Sequence, residues 1–289
     1  VPELAEVEFY RKQWDPGLGE KIETVQVHPK SRVFRGGTDP NIISKSLSGH
    51  TFKASFTHGK NMLFQFSGDV WLSGHLGMTG KLFTLPRSPS GASDTALPSG
   101  ILHRPGASAE KNPKHNHLVI VQKRRSLVFC DPRMFGLIQL HTGKKAPRLW
   151  RGLPPEILSS DYTKTLLKTF LKRHPRALIK PLLLDQTGFP GIGNWMADEI
   201  LWRTRIDPLT PVGTIPDETV ALLWRATRKL TREALRVIGT DWSRPPDHWL
   251  FNHRWADGGY CPRPECNAPL VRKSLRGRTT CWCPTCQER

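Results

Sequence analysis

Two groups of residues in the chain have the types and spacing to do chemistry. At the start, three carboxylates, Glu3, Glu6 and Glu8, crowd into eight residues directly behind Pro2, in a chain whose formal net charge is +18. Glu3 and Glu6 lie one helical turn apart. Taken alone, they are favourable acids in the first turn of a helix. At the other end, Cys261 and Cys266 form one close pair and Cys283 and Cys286 another, with 16 residues between Cys266 and Cys283. Two close cysteine pairs flanking a hairpin-sized segment describe a zinc ribbon. A tail of this size cannot bury a core of its own and needs a metal to fold, so one structural zinc ion is expected. Cys281 is a fifth thiol at the weaker C-x-C spacing, and Cys130 stands among apolar residues and reads as core. Between the pairs, Arg272, Lys273, Arg276 and Arg278 make a basic hairpin suited to phosphates.

A third signal is the turn GFPGIGN at 188–194. Asn194 reads as an N-cap of the helix that follows. Gly191 and Gly193 allow backbone N–H groups to converge at that helix start, where an anion is favoured, and a DNA phosphate is the expected occupant.

The elements that must position these groups change character along the chain. Residues 2–14 pattern as a helix, with Leu4, Val7 and Tyr10 on one face. Up to about residue 150 the pattern is then short strands: 23–28, 51–58, 61–66, 70–76, 117–123 and 126–131, β-branched or aromatic, with alternation clear in Phe52, Ala54 and Phe56. Short strands with tight turns suggest a β-sandwich. Residues 86–114, rich in Pro, Ser, Gly and Ala, read as a long loop within it. From about Leu153 the period is helical, through 163–174, 177–187, 194–206 and an amphipathic helix over 217–238 that stops at Gly239. The expected fold class is a multidomain α+β chain: residues 1–150 a helix plus β-sandwich, 151–251 a helical domain, and 252–289 the zinc ribbon.

Composition narrows the partners. Lys and Arg number 43 against 25 Asp and Glu, with ten tryptophans, a mix that suits a polyanion and points to nucleic acid. A mean hydropathy of −0.44 and the lack of any apolar run near a membrane-spanning length predict no membrane partner. No secretory signal is visible, so an intracellular protein is expected, in the cytoplasm or nucleoid if bacterial.

Pro2-Glu3-Leu4 with Glu6, the helix–turn–helix around GIGNWMADEI and the terminal ribbon occur in an order that resembles the Fpg/Nei family of DNA glycosylases and abasic-site lyases, over essentially the whole chain. The resemblance implies an N-terminal catalytic helix and β-sandwich, a helix–two-turn–helix DNA-binding domain and a zinc finger. It implies base excision repair of double-stranded DNA containing oxidised bases or abasic sites, by a monomer. The N-terminal proline amine, matching Pro2, would be the nucleophile and Glu3 the adjacent catalytic glutamate; Glu6 matches a supporting acid and Lys60, in HGKN, a β-hairpin lysine. HLGMTG and DPRMFG resemble the loops that fill the gap left by an extruded base, through Met78, Arg133 and Phe135. Asn194 matches a phosphate-binding asparagine, and Arg278, in GRTT, the zinc-finger arginine that grips the flipped-out nucleotide.

The implied chemistry is sound from first principles. An α-amino group titrates at about 7.7–8.0, so an appreciable fraction is neutral at cellular pH. Attack of a secondary amine on the sugar C1′ gives an iminium, which acidifies the neighbouring carbon and permits β- and then δ-elimination of the phosphates. Glu3 can move the protons. An internal Pro2, however, has an amide nitrogen and is no nucleophile. Val1 is therefore expected to record a GTG start codon, read as methionine in the cell and removed before proline. The alternative is a non-catalytic protein of the same fold that binds damaged or abasic DNA; a ribosomal or RNA-binding ribbon would leave the Pro-Glu start unexplained. Two departures from the family pattern stand out. The C-x4-C first pair differs from the common C-x2-C, and the segment between Gly239 and Cys261 is shorter than the one that caps oxidised guanine.

Overall fold

The computed structural model describes residues 1–36, 38–87 and 113–287, so nearly all of the 86–114 loop lies outside the described residues. The chain divides into two compact units, one of Val1–Pro2 and Glu6–Gly152, the other of Glu3–Ala5 and Leu153–Arg289.

In the first unit, helix α1 (Leu4–Lys12) is followed by β1 (Ile22–Val27), α2 (Pro40–Leu47), β2 (Phe52–His58), β3 (Asn61–Phe66), β4 (Val70–His75), β5 (Lys81–Pro86), β6 (Asn116–Gln122), β7 (Arg125–Cys130), β8 (Leu137–Thr142) and the single turn α3 (Arg148–Arg151). The strands form two antiparallel sheets, ordered β1-β6-β7-β5 and β2-β3-β4-β8. Trp14 is fully buried between them: its ring lies 4.7 Å from that of Phe64 in one sheet, and its indole N–H donates to Val128 O of the other at 3.1 Å. This is the expected sandwich; Cys130 is fully buried, in a small apolar cluster with Phe83 and Val128 of one sheet.

Strands β5 and β8 and helix α2 were not expected. The α2 start was readable, because Pro40 occupies its first turn and the Asp39 side chain accepts from Asn41 N. The alternation of Phe52 and Phe56 does not hold. A bulge between Phe52 and Ala54 shifts the register, so Phe52 is buried while Phe56 is 43% exposed.

The second unit contains α4 (Lys164–Lys172), the one-turn α5 (Ile179–Leu182), α6 (Asn194–Thr204), α7 (Asp217–Asp241) and the hairpin β9 (Val271–Leu275) and β10 (Arg278–Trp282). Its core joins Ala5, Leu171, Ile179, Phe189, Ile192, Ile200, Leu223, Leu230 and Ile238. The helix expected over 177–187 is one turn only, since the chain then bends around Asp185, whose carbonyl accepts from Phe189 N. Helix α7 runs through the buried Gly239, because Ile238 still packs in the core. It ends where Trp242 turns left-handed at φ 62°, returning its N–H to Ile238 O and that of Ser243 to Val237 O. Among the described residues no helix is long and apolar enough to cross a membrane.

Candidate nucleic-acid site and metal centre

The helix start at 193–196 holds an anion, but the anion is the chain's own. The Glu3 carboxylate, 2% exposed, accepts from Gly193 N (2.9 Å), Trp195 N (2.8 Å) and Met196 N (3.1 Å). An ionised carboxylate is acceptor-only, and three converging N–H groups at the positive end of a helix suit it. The adjoining peptide is pinned as well, with Leu4 N donating to Gly191 O at 3.0 Å. Gly191 needs its φ of +90°; Gly193 has ordinary extended backbone, but a Cβ there would lie 2.3 Å from Glu3 Cδ. Glycine at 193 therefore makes room for the glutamate.

This corrects two expectations. These N–H groups are occupied by Glu3 rather than left open for a phosphate. Asn194 is not the cap either: it is the first helical residue, the capping position belongs to Gly193, and the missing side-chain acceptor comes from Glu3. The Asn194 amide instead donates to Thr279 O at 2.7 Å, which ties the start of α6 to β10.

In the first unit, Glu6 lies in the first turn of α1 and Lys60 at the β2–β3 turn. Lys60 acts on His75: burial first, then the positive charges of Lys60 and Arg35, hold the imidazole pKa below 6.5. The Nδ1 of the neutral ring accepts from Gly77 N at 3.0 Å.

His75 opens the loop that carries Met78, and that loop packs on the one carrying Arg133 and Phe135. Asp131, fully buried, joins them. Its carboxylate accepts from Thr79 Oγ1 (2.5 Å) in one loop and from Gly136 N (2.7 Å) and Arg133 N (3.3 Å) in the other. Arg35 supports the second loop from outside, donating to Gly136 O (2.8 Å) and Phe135 O (2.9 Å). Gly77 must be glycine, since φ is +61° and a Cβ would meet Phe135 C at 2.4 Å. The result is a braced pair of loops whose apolar tips stay in solvent: Met78 is 43% and Phe135 47% exposed, with the Arg133 guanidinium 4.8 Å over the Phe135 ring. The structure thus brings Met78, Arg133 and Phe135 together. Asp131 and Arg35 escaped the sequence reading; the aspartate opening DPRMFG was the available signal.

The sulfurs of Cys261, Cys266, Cys283 and Cys286 all lie within 4.8 Å of one another, with Cys266–Cys283 at 3.6 Å and Cys261–Cys286 at 3.9 Å. Tetrahedral thiolates about 2.3 Å from a zinc ion stand about 3.8 Å apart, so the four sulfurs fit such an ion. Cys281 is outside the cluster and buried, and burial pushes its thiol up to about 11. The β9–β10 hairpin reverses through Arg276 and Gly277, both left-handed at φ 47° and 74°, and Arg278 begins β10 exposed to solvent.

The chain matches two family models, the formamidopyrimidine-DNA glycosylase N-terminal domain over residues 1–138 and the formamidopyrimidine-DNA glycosylase H2TH domain over residues 153–244. It is 32% identical to the formamidopyrimidine-DNA glycosylase of Solibacter usitatus, covering 100% of both chains. It is 34% identical to that of Thermus thermophilus, over 99% of this chain and 98% of the relative. Among solved structures it resembles Lactococcus lactis Fpg in complex with DNA containing an abasic site (TM-score 0.80, 26% identity, covering 99% and 100% of the two chains). It also resembles the same protein with DNA containing an oxidised pyrimidine (TM-score 0.81, 25% identity, 100% of both).

Proposed function

The chain belongs to the formamidopyrimidine-DNA glycosylase family, and from that premise we propose that it is a DNA glycosylase of base excision repair that also cleaves the abasic site it creates. Its substrate is double-stranded DNA carrying an oxidised base, and it works inside the cell as a monomer. The observation that carries this reading is the seat of Glu3: a buried carboxylate locked by three N–H groups, one peptide unit from Pro2.

In this reading the damaged nucleotide leaves the stack, and Met78, Arg133 and Phe135 enter the gap. Their loops are already braced by Asp131, so little ordering remains to be done on binding. Lys60 belongs to the catalytic group with Pro2, Glu3 and Glu6, Arg278 grips the flipped-out nucleotide, and Asn194 holds a phosphate, a contact that positions the strand without reading sequence. The Pro2 nitrogen, once terminal, attacks C1′ with its lone pair. The N-glycosidic bond breaks, and the base departs with a proton. Opening of the sugar ring leaves an iminium between Pro2 and C1′. Loss of a proton from C2′ then expels the 3′ phosphate, and a second elimination expels the 5′ phosphate. Glu3 handles the sugar protons, with Glu6 supporting the site. Residues 1–150 serve as the catalytic domain, 151–251 as the helix–two-turn–helix DNA-binding domain and 252–289 as the zinc finger. Cys261, Cys266, Cys283 and Cys286 hold one Zn2+, which when bound supplies a closed structural centre and takes no part in the chemistry.

Borohydride trapping on an abasic-site duplex, followed by mass analysis of the cross-linked peptide, tests the proposal. The expected product is an adduct on a peptide beginning at Pro2. No adduct from protein verified to begin at Pro2 would refute the lyase chemistry and leave a binder of damaged DNA.

A further inference from the structure

Helix α6 presents Asn194, Asp198 and Trp202 at i, i+4 and i+8, one above the other on a single face. Each bonds to the cysteine ribbon. The Asn194 amide donates to Thr279 O (2.7 Å), the Asp198 carboxylate accepts from Cys281 N (3.1 Å), and the Trp202 indole donates to Cys261 Sγ (3.3 Å). Just past the helix end, Gln287 donates to Ile206 O (2.9 Å) while its own oxygen accepts from Cys283 N (2.9 Å). The spacings match. Residues 194 and 198 are separated by about 6 Å of helix, and 279 and 281 by about 7 Å of strand. The ribbon is therefore held against α6 in one register.

The middle bond is built at high cost. Asp198, Lys180 and Arg254 are all buried, with side-chain exposures of 0%, 1% and 4%. Lys180 Nζ bonds one carboxylate oxygen and also Asn194 O (2.7 Å). Arg254 grips the other oxygen through Nε (3.1 Å) and Nη2 (2.5 Å), and Cys281 N bonds to that same oxygen. Packing alone would be served as well by apolar residues, because desolvating charges offsets most of their attraction. What the charged cluster adds is direction: it fixes the Asn194 backbone and the β10 backbone to one carboxylate.

We propose that Asp198, locked by Lys180 and Arg254, is a positioning residue for DNA recognition that sets the register of β10 on α6 and so places Arg278 beside Asn194. The proposal rests on the reading of Arg278 as the residue that grips the flipped-out nucleotide and of Asn194 as a phosphate ligand. Asp198 itself touches no DNA.

The test is a double-mutant cycle in the full zinc-loaded chain, read as affinity for a duplex carrying a tetrahydrofuran abasic-site analogue. Arg278→Ala is made in the unaltered chain and in two clamp variants. Asp198→Asn removes the charged acceptor; Arg254→Met, a milder change that leaves the Lys180–Asp198 pair whole, serves if the first does not fold. Arg278→Ala is expected to cost about tenfold in the unaltered chain. In the clamp variants the same substitution is expected to cost less, by about threefold or more, because Arg278 is already misplaced there. Zinc release to a chelator should stay unchanged. Equal losses in every background would overturn the positioning role while leaving Arg278 a DNA contact. No effect of Arg278→Ala in the unaltered chain would instead overturn the reading beneath it. Faster zinc release from the clamp variants would make Asp198 a residue that keeps the ribbon folded, and would also overturn the proposal.

Discussion

Gly193→Ala is the sharpest probe of the Glu3 seat, because it changes no charge and asks for no backbone conformation that alanine avoids. The residue has φ −125° and ψ −158°, which alanine adopts freely, so no backbone strain is added. The effect on the folded state passes through one contact: the new Cβ would sit 2.3 Å from Glu3 Cδ, 2.4 Å from Cγ and 2.6 Å from Oε1. Carbon atoms in contact prefer about 3.5–4.0 Å, so the glutamate must retreat by roughly 1 Å or more. That distance breaks the short bonds from the buried Gly193, Trp195 and Met196 N–H groups to the carboxylate. Hydrogen bonds to a charged group contribute about 1.5–3 kcal/mol each, and loss of two of the three destabilises the second unit by roughly 3 kcal/mol after partial relaxation. Misplacing a reacting group by about 1 Å costs on the order of 100-fold in rate. The assay is single-turnover excision from an oxidised-base duplex, with affinity for an abasic analogue and thermal melting measured in parallel. Excision should fall about 100-fold with affinity nearly unchanged, and Gly193→Ala added to Glu3→Gln should lower excision no further. Full activity and an unshifted melt in Gly193→Ala would refute the argument that this glycine exists to seat Glu3.

Two other consequences can be checked directly. Asp131→Ala strands the Gly136 N–H and the Thr79 hydroxyl, and should destabilise the first unit by about 2–4 kcal/mol in a denaturant melt, whereas Asp131→Asn, which keeps one acceptor, should lose less. His75 is neutral in the fold and its pKa is depressed there, so the unfolded chain takes up the proton first. The stability it contributes is complete above its ordinary value of 6.5 and is lost as pH falls through the folded value; His75→Gln should flatten that part of a melting series between pH 7.5 and 5.

The parts of the structure that were legible in the sequence are those carried by local pattern. The two cysteine pairs, the early strands and the long apolar period of α7 each depend on residues close in the chain. What was missed depends on pairing at long range. Strand β8 is a plain LIQLHT that becomes a strand by pairing with β4, some 67 residues earlier, and KLFTLP of β5 pairs with β7 across the whole 86–114 segment. The same holds at the site. Asn194 has the residue type of an N-cap and stands at a helix start, yet the capping carboxylate arrives from 190 positions upstream. Asp131 reads as a turn residue, and only the fold shows that the Oδ1 that accepts from Arg133 N also binds the neighbouring loop through Thr79.

Helix α6 shows why periodicity understates such a site. NWMADEILW carries two acids and an asparagine that a pattern would turn to solvent, but Asp198 and Glu199 are both fully buried. Asp198 receives Lys180, Arg254 and the β10 backbone; Glu199 receives Arg203 (2.9 Å) and Phe251 N (3.0 Å). The polar positions of this helix are docking points for the tail that follows, and its first turn is the docking point for the chain's opening residues. A helix whose hydrophilic side is fully used inside the protein has little freedom to shift, which is the property required of an element that holds Glu3 at its start and, eighty residues later in sequence, sets where Arg278 stands.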